Sequence, residues 1–240
     1  MKSAKEHYDQ HLAHFYNWMT GDFELKQQEQ EEFFRANQII PQHTGQAVDL
    51  GCGHGLQSIA LAKIGFQLIA IDFNTQLLNE LRNRKGDLSV EVVEDDLLNF
   101  ATHANSPELI VCMGDTIAHL ENYQQLQELL TNCMEQLVEA GKIILSYRDY
   151  STELKGEDRF IPVKADELKI LTCVLDFSDD FVSVTDLLHE KVSGNWTQKS
   201  SSYQKLRLNP EKVESYLTEA GFTSTQTTIE NRMVYTIAQK

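Results

Sequence analysis

"VDLGCGHGLQSIALAKIGFQLIAIDFN", residues 48–74, places glycines at 51, 53 and 55, follows them with an apolar run of helical period, and closes on Asp72. A short apolar run, a glycine turn, a helical stretch and a second apolar run spell a βα unit feeding the next strand of a parallel sheet. Residues without a Cβ let backbone N–H groups and carbonyls come close to a ligand at such a turn. In the dinucleotide fingerprint the last glycine falls three positions after the second, which allows close helix packing. Here Gly55 falls two after Gly53, so the loop opens differently and has no pyrophosphate to accommodate. Asp72 ends the second strand, where a carboxylate accepts from two vicinal ribose hydroxyls. The expected ligand therefore carries a ribose and no diphosphate.

Outward from this stretch the same alternation continues. Strands are expected at 47–50, 67–72, 90–93, 109–113 and 142–146, with helices at 56–63, 75–84 and 123–138 between them. Repeated βα units predict a Rossmann-like α/β fold: a mostly parallel, seven-stranded sheet with helices on both faces and ligands at the strands' carboxyl ends. After Tyr147 the period changes to two. The runs "KILTCVLDF", "FVSVTDLLHE" and "SYQKLRL" predict an antiparallel β insertion over 169–208 within the domain. A helix at 210–220, with Pro210 at its start and Gly221 at its end, and a last strand in "RMVYTIAQ" complete the reading.

Before the first strand, Ser3 and Glu6 form a capping box, and Tyr8, Leu12, Phe15, Tyr16 and Met19 recur at helical spacing up to Gly21. One amphipathic helix is expected here, then a polar one over 23–37, so residues 1–40 form an N-terminal helical lid. Tyr8 and Tyr16 share a face of the expected helix, and either phenol is placed to point into a site. His7, His11 and His14 share a face as well, but no acidic or cysteine partner stands at ligand spacing and no metal site is expected.

The 240 residues, 41% hydrophobic, suit a single domain spanning 1–240. A formal charge of -15, with the 21 basic residues scattered, disfavours nucleic acid and anionic membrane surfaces as partners. No run is apolar enough to span a bilayer and the N-terminus lacks a signal-peptide core, so a cytoplasmic protein is expected. Cys52, Cys112, Cys133 and Cys173 lie far apart in apolar or glycine-rich segments and read as reduced thiols.

"VDLGCGHG" with "IAIDFN", then "VVEDDLLNF" and "PELIVCMGDTIAHL" in that order, resembles the four motifs of the class I S-adenosylmethionine-dependent methyltransferase family, over residues 46–146. The resemblance implies S-adenosyl-L-methionine as cofactor and methyl transfer to a nitrogen or oxygen of a small-molecule acceptor. RNA or protein methylation and a non-catalytic binding module are the alternatives. Gly51, Gly53 and Gly55 would approach the methionine part, with Cys52 in the same loop. Asp49 would orient its amino group or serve only as a turn acid. Asp72 would hold the ribose, followed by Phe73. Asp96 matches the adenine-contacting acid, with Asp95 as the alternative if the loop is shifted by one, and the Leu97 N–H would meet a ring nitrogen. An acid that caps the short helix after this strand is the competing structural role.

Just past the fourth strand, Met113 and Gly114 are expected to line the pocket, and His119 to accept a proton or anchor the loop. "CMGDTIAHL" and "SYRDY" resemble segments of glycine N-methyltransferase-like enzymes. Arg148 matches the arginine that in that subgroup binds the carboxylate of an amino-acid acceptor. Tyr16 is the catalytic candidate on the opening helix. The insertion either roofs the acceptor pocket or makes a homodimer contact.

Overall fold

A computed structural model describes residues 2–230 and 232–240. Met1, the first residue of the expected N-terminal segment, lies outside the described residues. The chain divides into two compact units: one combines the chain up to Gly21 with Tyr150–Arg207, and the other combines Asp22–Asp149 with Leu208–Lys240.

In chain order the elements are α1 (Ala4–Gln10), α2 (Tyr16–Thr20), α3 (Phe23–Ala36), β1 (Gln46–Leu50), α4 (Leu56–Lys63), β2 (Gln67–Asp72), α5 (Thr75–Arg84), β3 (Val90–Glu94), β4 (Leu109–Cys112), α6 (Tyr123–Gln136) and β5 (Lys142–Arg148). Then come β6 (Phe160–Ala165), β7 (Lys169–Phe177), β8 (Phe181–Val192), β9 (Asn195–Leu206), α7 (Pro210–Ala220), β10 (Ser224–Glu230) and β11 (Met233–Gln239).

The second unit holds a seven-stranded sheet in the order β10-β11-β5-β4-β1-β2-β3. Strands β1 to β5 run parallel, whereas β11 joins β5 antiparallel and β10 joins β11 antiparallel. This is the mostly parallel Rossmann-like sheet that the alternation predicts. Central strands are apolar on both faces: Ala47, Val48, Leu50, Ile110, Val111 and Ile144 are all inaccessible to solvent, as expected where helices cover both sides. With β2 on one side of β1 and β4 on the other, the order reverses at β1, and a crevice opens at its carboxyl end. Asn74, Asn122 and Asn209 cap α5, α6 and α7 by accepting from backbone N–H groups, which explains why these starts were legible.

Strand β10 escapes a reading by period because "STQTTIE" is exposed on nearly every residue. Its place comes from seven register pairs with β11, and backbone pairing leaves no hydrophobic signature.

In the first unit, β6-β7-β8-β9 form an antiparallel sheet. The insertion starts earlier than 169, since β6 precedes β7. Pro162 argues against a strand, yet β6 is an edge strand with a bulge between Pro162 and Lys164, where proline is tolerated. Alternation in β8 buries Val182, Val184, Asp186 and Leu188 on one face. The expected single opening helix is instead broken: α1 ends at His11 (φ -142°, ψ -70°), a 3-10 turn covers Leu12–Phe15, and α2 follows. His7, His11, Leu12, Ala13 and Phe15 are all buried. They span too wide an arc for one face of a straight helix, and the break lets each face inward.

Breaking the helix also ends the shared face of His7, His11 and His14. Among the described residues no three His, Cys, Asp or Glu side chains group as metal ligands. No helix among them is long and apolar enough to cross a membrane. Cys52, Cys112 and Cys133 are buried free thiols and Cys173 is a half-buried one.

Candidate active site

The glycine loop leaves β1 with Gly51, Gly53 and Gly55 all at positive φ (69°, 52° and 93°), backbone that L side chains adopt only with strain. Space is as restrictive as dihedral. A Cβ on Gly51 would lie 2.3 Å from the Thr116 Cγ2, and one on Gly55 would lie 2.3 Å from the Leu81 Cδ1. The Gly51 and Cys52 N–H groups donate to the Ile71 carbonyl (2.8 and 3.0 Å), and Gly53 N–H donates to Asp72 Oδ2 at 2.8 Å. Loop and acid are thus one hydrogen-bonded piece. The other oxygen, Asp72 Oδ1, accepts from Asn74 N–H at 2.8 Å, and the half-buried Phe73 lies between them.

Asp49 is 1% exposed and accepts from Ser58 Oγ at 2.5 Å. Burial pushes its carboxyl up to about 7, and the negative Asp72 adds to the rise. Asp49 and Asp72 thus place two acceptor groups at this loop. Cys52 Sγ makes a long 3.8 Å contact to the Gly53 carbonyl, and burial holds its thiol well above the usual range, so it is no nucleophile. His54 packs edge-on against Phe23 of α3 at 5.1 Å between centroids; burial lowers its pKa to about 4, with Arg84 adding to the effect. The loop is therefore backed by a neutral ring.

After β3, Asp96 Oδ1 accepts from Leu98 N–H at 2.9 Å and caps a 3-10 turn over Leu97–Thr102. The structural role weighed against adenine contact is thus occupied by one oxygen. Asp95 is bound to His103 Nε2 (2.7 Å), Asn99 Nδ2 (2.8 Å) and the Asp96 N–H (2.7 Å). These bonds, that of His103 foremost, hold its carboxyl down to about 2. Leu97 is buried.

The loop after β4 carries Met113, buried, and Gly114, exposed at φ 78°. Gly114 N–H donates to Ser146 Oγ (2.8 Å), and Asp115 N–H to the Ser146 carbonyl (2.9 Å). His119 ends the following 3-10 turn, half-buried. Arg148 ends β5 with its side chain exposed, and among the described residues its guanidinium makes no ion pair.

All the expected residues except Tyr16 are brought together on the carboxyl ends of β1 to β5 in the second unit. Tyr16 starts α2 in the first unit, its ring 6.2 Å from that of Tyr8. Ser58, Thr116 and Ser146 had no signal in the sequence. They act through hydrogen bonds and contacts across elements, which spacing along the chain does not record.

Residues 47–141 match the family model described as "Methyltransferase domain". The chain is 26% identical over 193 residues to glycine N-methyltransferase of Mus musculus, covering 71% of this chain and 65% of that one. To glycine/sarcosine N-methyltransferase of Parasynechococcus marenigrum it is 25% identical over 140 residues, covering 56% and 49%. It thus spans about half to two thirds of the length of these relatives. The solved structure of the S-adenosylmethionine-bound amino pentose methyltransferase from Micromonospora echinaspora superposes with a TM-score of 0.73 at 12% identity, covering 92% of each chain. With the sheet order, the glycine loop and the domain match together, the chain has the class I S-adenosylmethionine-dependent methyltransferase fold, and its residues 47–141 match a methyltransferase domain. The relatives it resembles by sequence include glycine and glycine/sarcosine N-methyltransferases.

Proposed function

We propose that the chain is an enzyme that transfers a methyl group from S-adenosylmethionine to a small acceptor, and that the acceptor is an amine bearing a carboxylate. When bound, the sulfonium supplies a methyl group already activated for displacement. The protein's task is then to hold two partners in line.

The residues at the crevice suit that task. Asp72 accepts from ribose hydroxyls, Asp49 faces the ammonium of the methionine part, and the glycine backbone lies along it. Asp96, with Asp95 as the alternative, and the Leu97 N–H serve the adenine ring. Met113 and Gly114 wall the transfer position, where a Cβ on Gly114 would meet nothing within 4 Å. His119 takes the acceptor's proton or holds the loop. The amine attacks only in its neutral form, so the rate rises with pH until that form is fully populated.

The observation that carries the acceptor class is Arg148, an exposed guanidinium that makes no ion pair among the described residues, at the carboxyl end of β5 beside the Gly114 loop. A planar fork of this kind grips a carboxylate at two points. Arg148→Lys is expected to leave S-adenosylhomocysteine affinity unchanged and to lower kcat/KM for a carboxylated amine roughly tenfold or more. A screen of glycine, sarcosine and related amino acids against their carboxamides, with radiolabelled methyl donor, tests it. Equal methylation of acids and carboxamides would remove the carboxylate from the proposal.

A further inference from the structure

Asp115 stands where the first residue of the 3-10 turn Thr116–His119 wants a capping side chain, yet it makes no side-chain cap bond there. Instead its carboxylate crosses to the next strand, where Oδ1 accepts from the Arg148 backbone N–H at 2.9 Å. The residue is 4% exposed and sits at φ 74°, ψ 15°, a left-handed backbone that costs a non-glycine residue and persists where surrounding contacts over-determine it. Two further bonds run between the same segments: Gly114 N–H to Ser146 Oγ and Asp115 N–H to the Ser146 carbonyl. On its other side this loop reaches the glycine turn. Thr116 Oγ1 donates to the Met113 carbonyl (2.9 Å), and Thr116 Cγ2 fills the space where a Gly51 Cβ would lie. One short segment, 113–116, therefore touches the donor loop at Gly51 and the arginine at Arg148.

We infer that Asp115 is a positioning residue that sets the register of Arg148 against the glycine loop, so that an acceptor gripped by the guanidinium meets the methyl donor in line. The inference rests on the acceptor reading given to Arg148 above. Asp115 touches neither reactant; it acts through the Arg148 backbone.

The experiment uses the full chain, three single variants and one double variant. Asp115→Gly relieves the left-handed backbone while removing the carboxylate, Asp115→Asn keeps an oxygen to accept the Arg148 N–H, and Arg148→Lys removes the fork. Asp115→Gly is expected to raise KM for a carboxylated amine about tenfold while S-adenosylhomocysteine affinity stays within twofold, and Asp115→Asn is expected to restore KM. In the Arg148→Lys background Asp115→Gly should add nothing. Additive losses, or cofactor affinity falling as far as acceptor KM rises, would overturn the latch.

Hydrogen exchange separates this inference from the acceptor reading. The Arg148 amide should be protected in the unaltered protein and in Asp115→Asn, and should exchange at least tenfold faster in Asp115→Gly. If Arg148→Lys turns over normally, the acceptor reading falls and the exchange rate alone decides the latch: an unchanged rate refutes it.

Discussion

Gly53 and Asp72 are joined by a 2.8 Å hydrogen bond from the glycine N–H to Asp72 Oδ2. The turn after β1 and the acid that ends β2 are therefore held as a single rigid edge of the crevice, with the Asn74 N–H bound to the other carboxylate oxygen.

Because the carboxylate has this double role, Asp72→Ala is expected to weaken S-adenosylhomocysteine binding by roughly 2–3 kcal/mol, the scale of lost charge-assisted hydrogen bonds. It should also lower the melting temperature, since two N–H groups lose their acceptor. Titration calorimetry on the folded variant checks the first effect, and unchanged affinity would take the ribose role away from Asp72.

Asp49 makes a prediction with a definite sign. Its folded pKa is raised from 3.8 to about 7 by burial, with Asp72 adding to the rise, so its contribution to stability is fully present below about pH 4. That contribution is lost as pH climbs through about 7. Relative to Asp49→Asn, which keeps an acceptor for Ser58, the unaltered protein should lose melting temperature steadily between those limits. A ligand ammonium facing the carboxylate favours its ionised form, so S-adenosylhomocysteine affinity should weaken below pH 7 in the unaltered protein and stay flatter in Asp49→Asn. Parallel pH profiles for the two proteins would refute the assignment.

Two glycines with similar backbone separate strain from crowding. Gly45 has φ 67° and nothing within 4 Å of an added Cβ, whereas Gly55 has φ 93° and the fully buried Leu81 at 2.3 Å. Gly45→Ala should cost about 1 kcal/mol from backbone strain, and Gly55→Ala a further 1–3 kcal/mol from overpacking. Equal urea midpoints for the two variants would show that Leu81 moves aside freely.

His7 and Asp186 form a buried pair in the first unit. His7 Nδ1 lies 2.9 Å from Ser201 Oγ, its Nε2 is 3.2 Å from Asp186 Oδ2, and its ring stacks on Tyr203 at 3.9 Å. Burial pushes the Asp186 carboxyl up, but hydrogen bonds from His7 and Cys173 outweigh it and leave the pKa below 3.8. The pair's stabilisation is present above that value and lost as pH falls through the folded pKa. Asp186→Ala strands the imidazole and should destabilise the unit by about 3 kcal/mol. Denaturant unfolding that shifts by less than about 1 kcal/mol would mean the histidine finds another partner.

The chain by itself determined the α/β class, the order of βα units, the bounds of α4, α5 and α7, and the positions of the glycines and Asp72. Each is written in local currency: period, caps and residues that lack a Cβ. What only the tertiary structure decided is whatever depends on groups distant in sequence. The edge strands β6 and β10 exist through backbone pairing with partners, the opening helix breaks so that His7, His11 and Phe15 can all be buried, and Asp96 spends one oxygen on a cap. Arg148 was legible only as a resemblance. That its backbone is tied to Asp115, 33 residues earlier, follows from two parallel strands ending side by side, a relation that no spacing along the chain encodes.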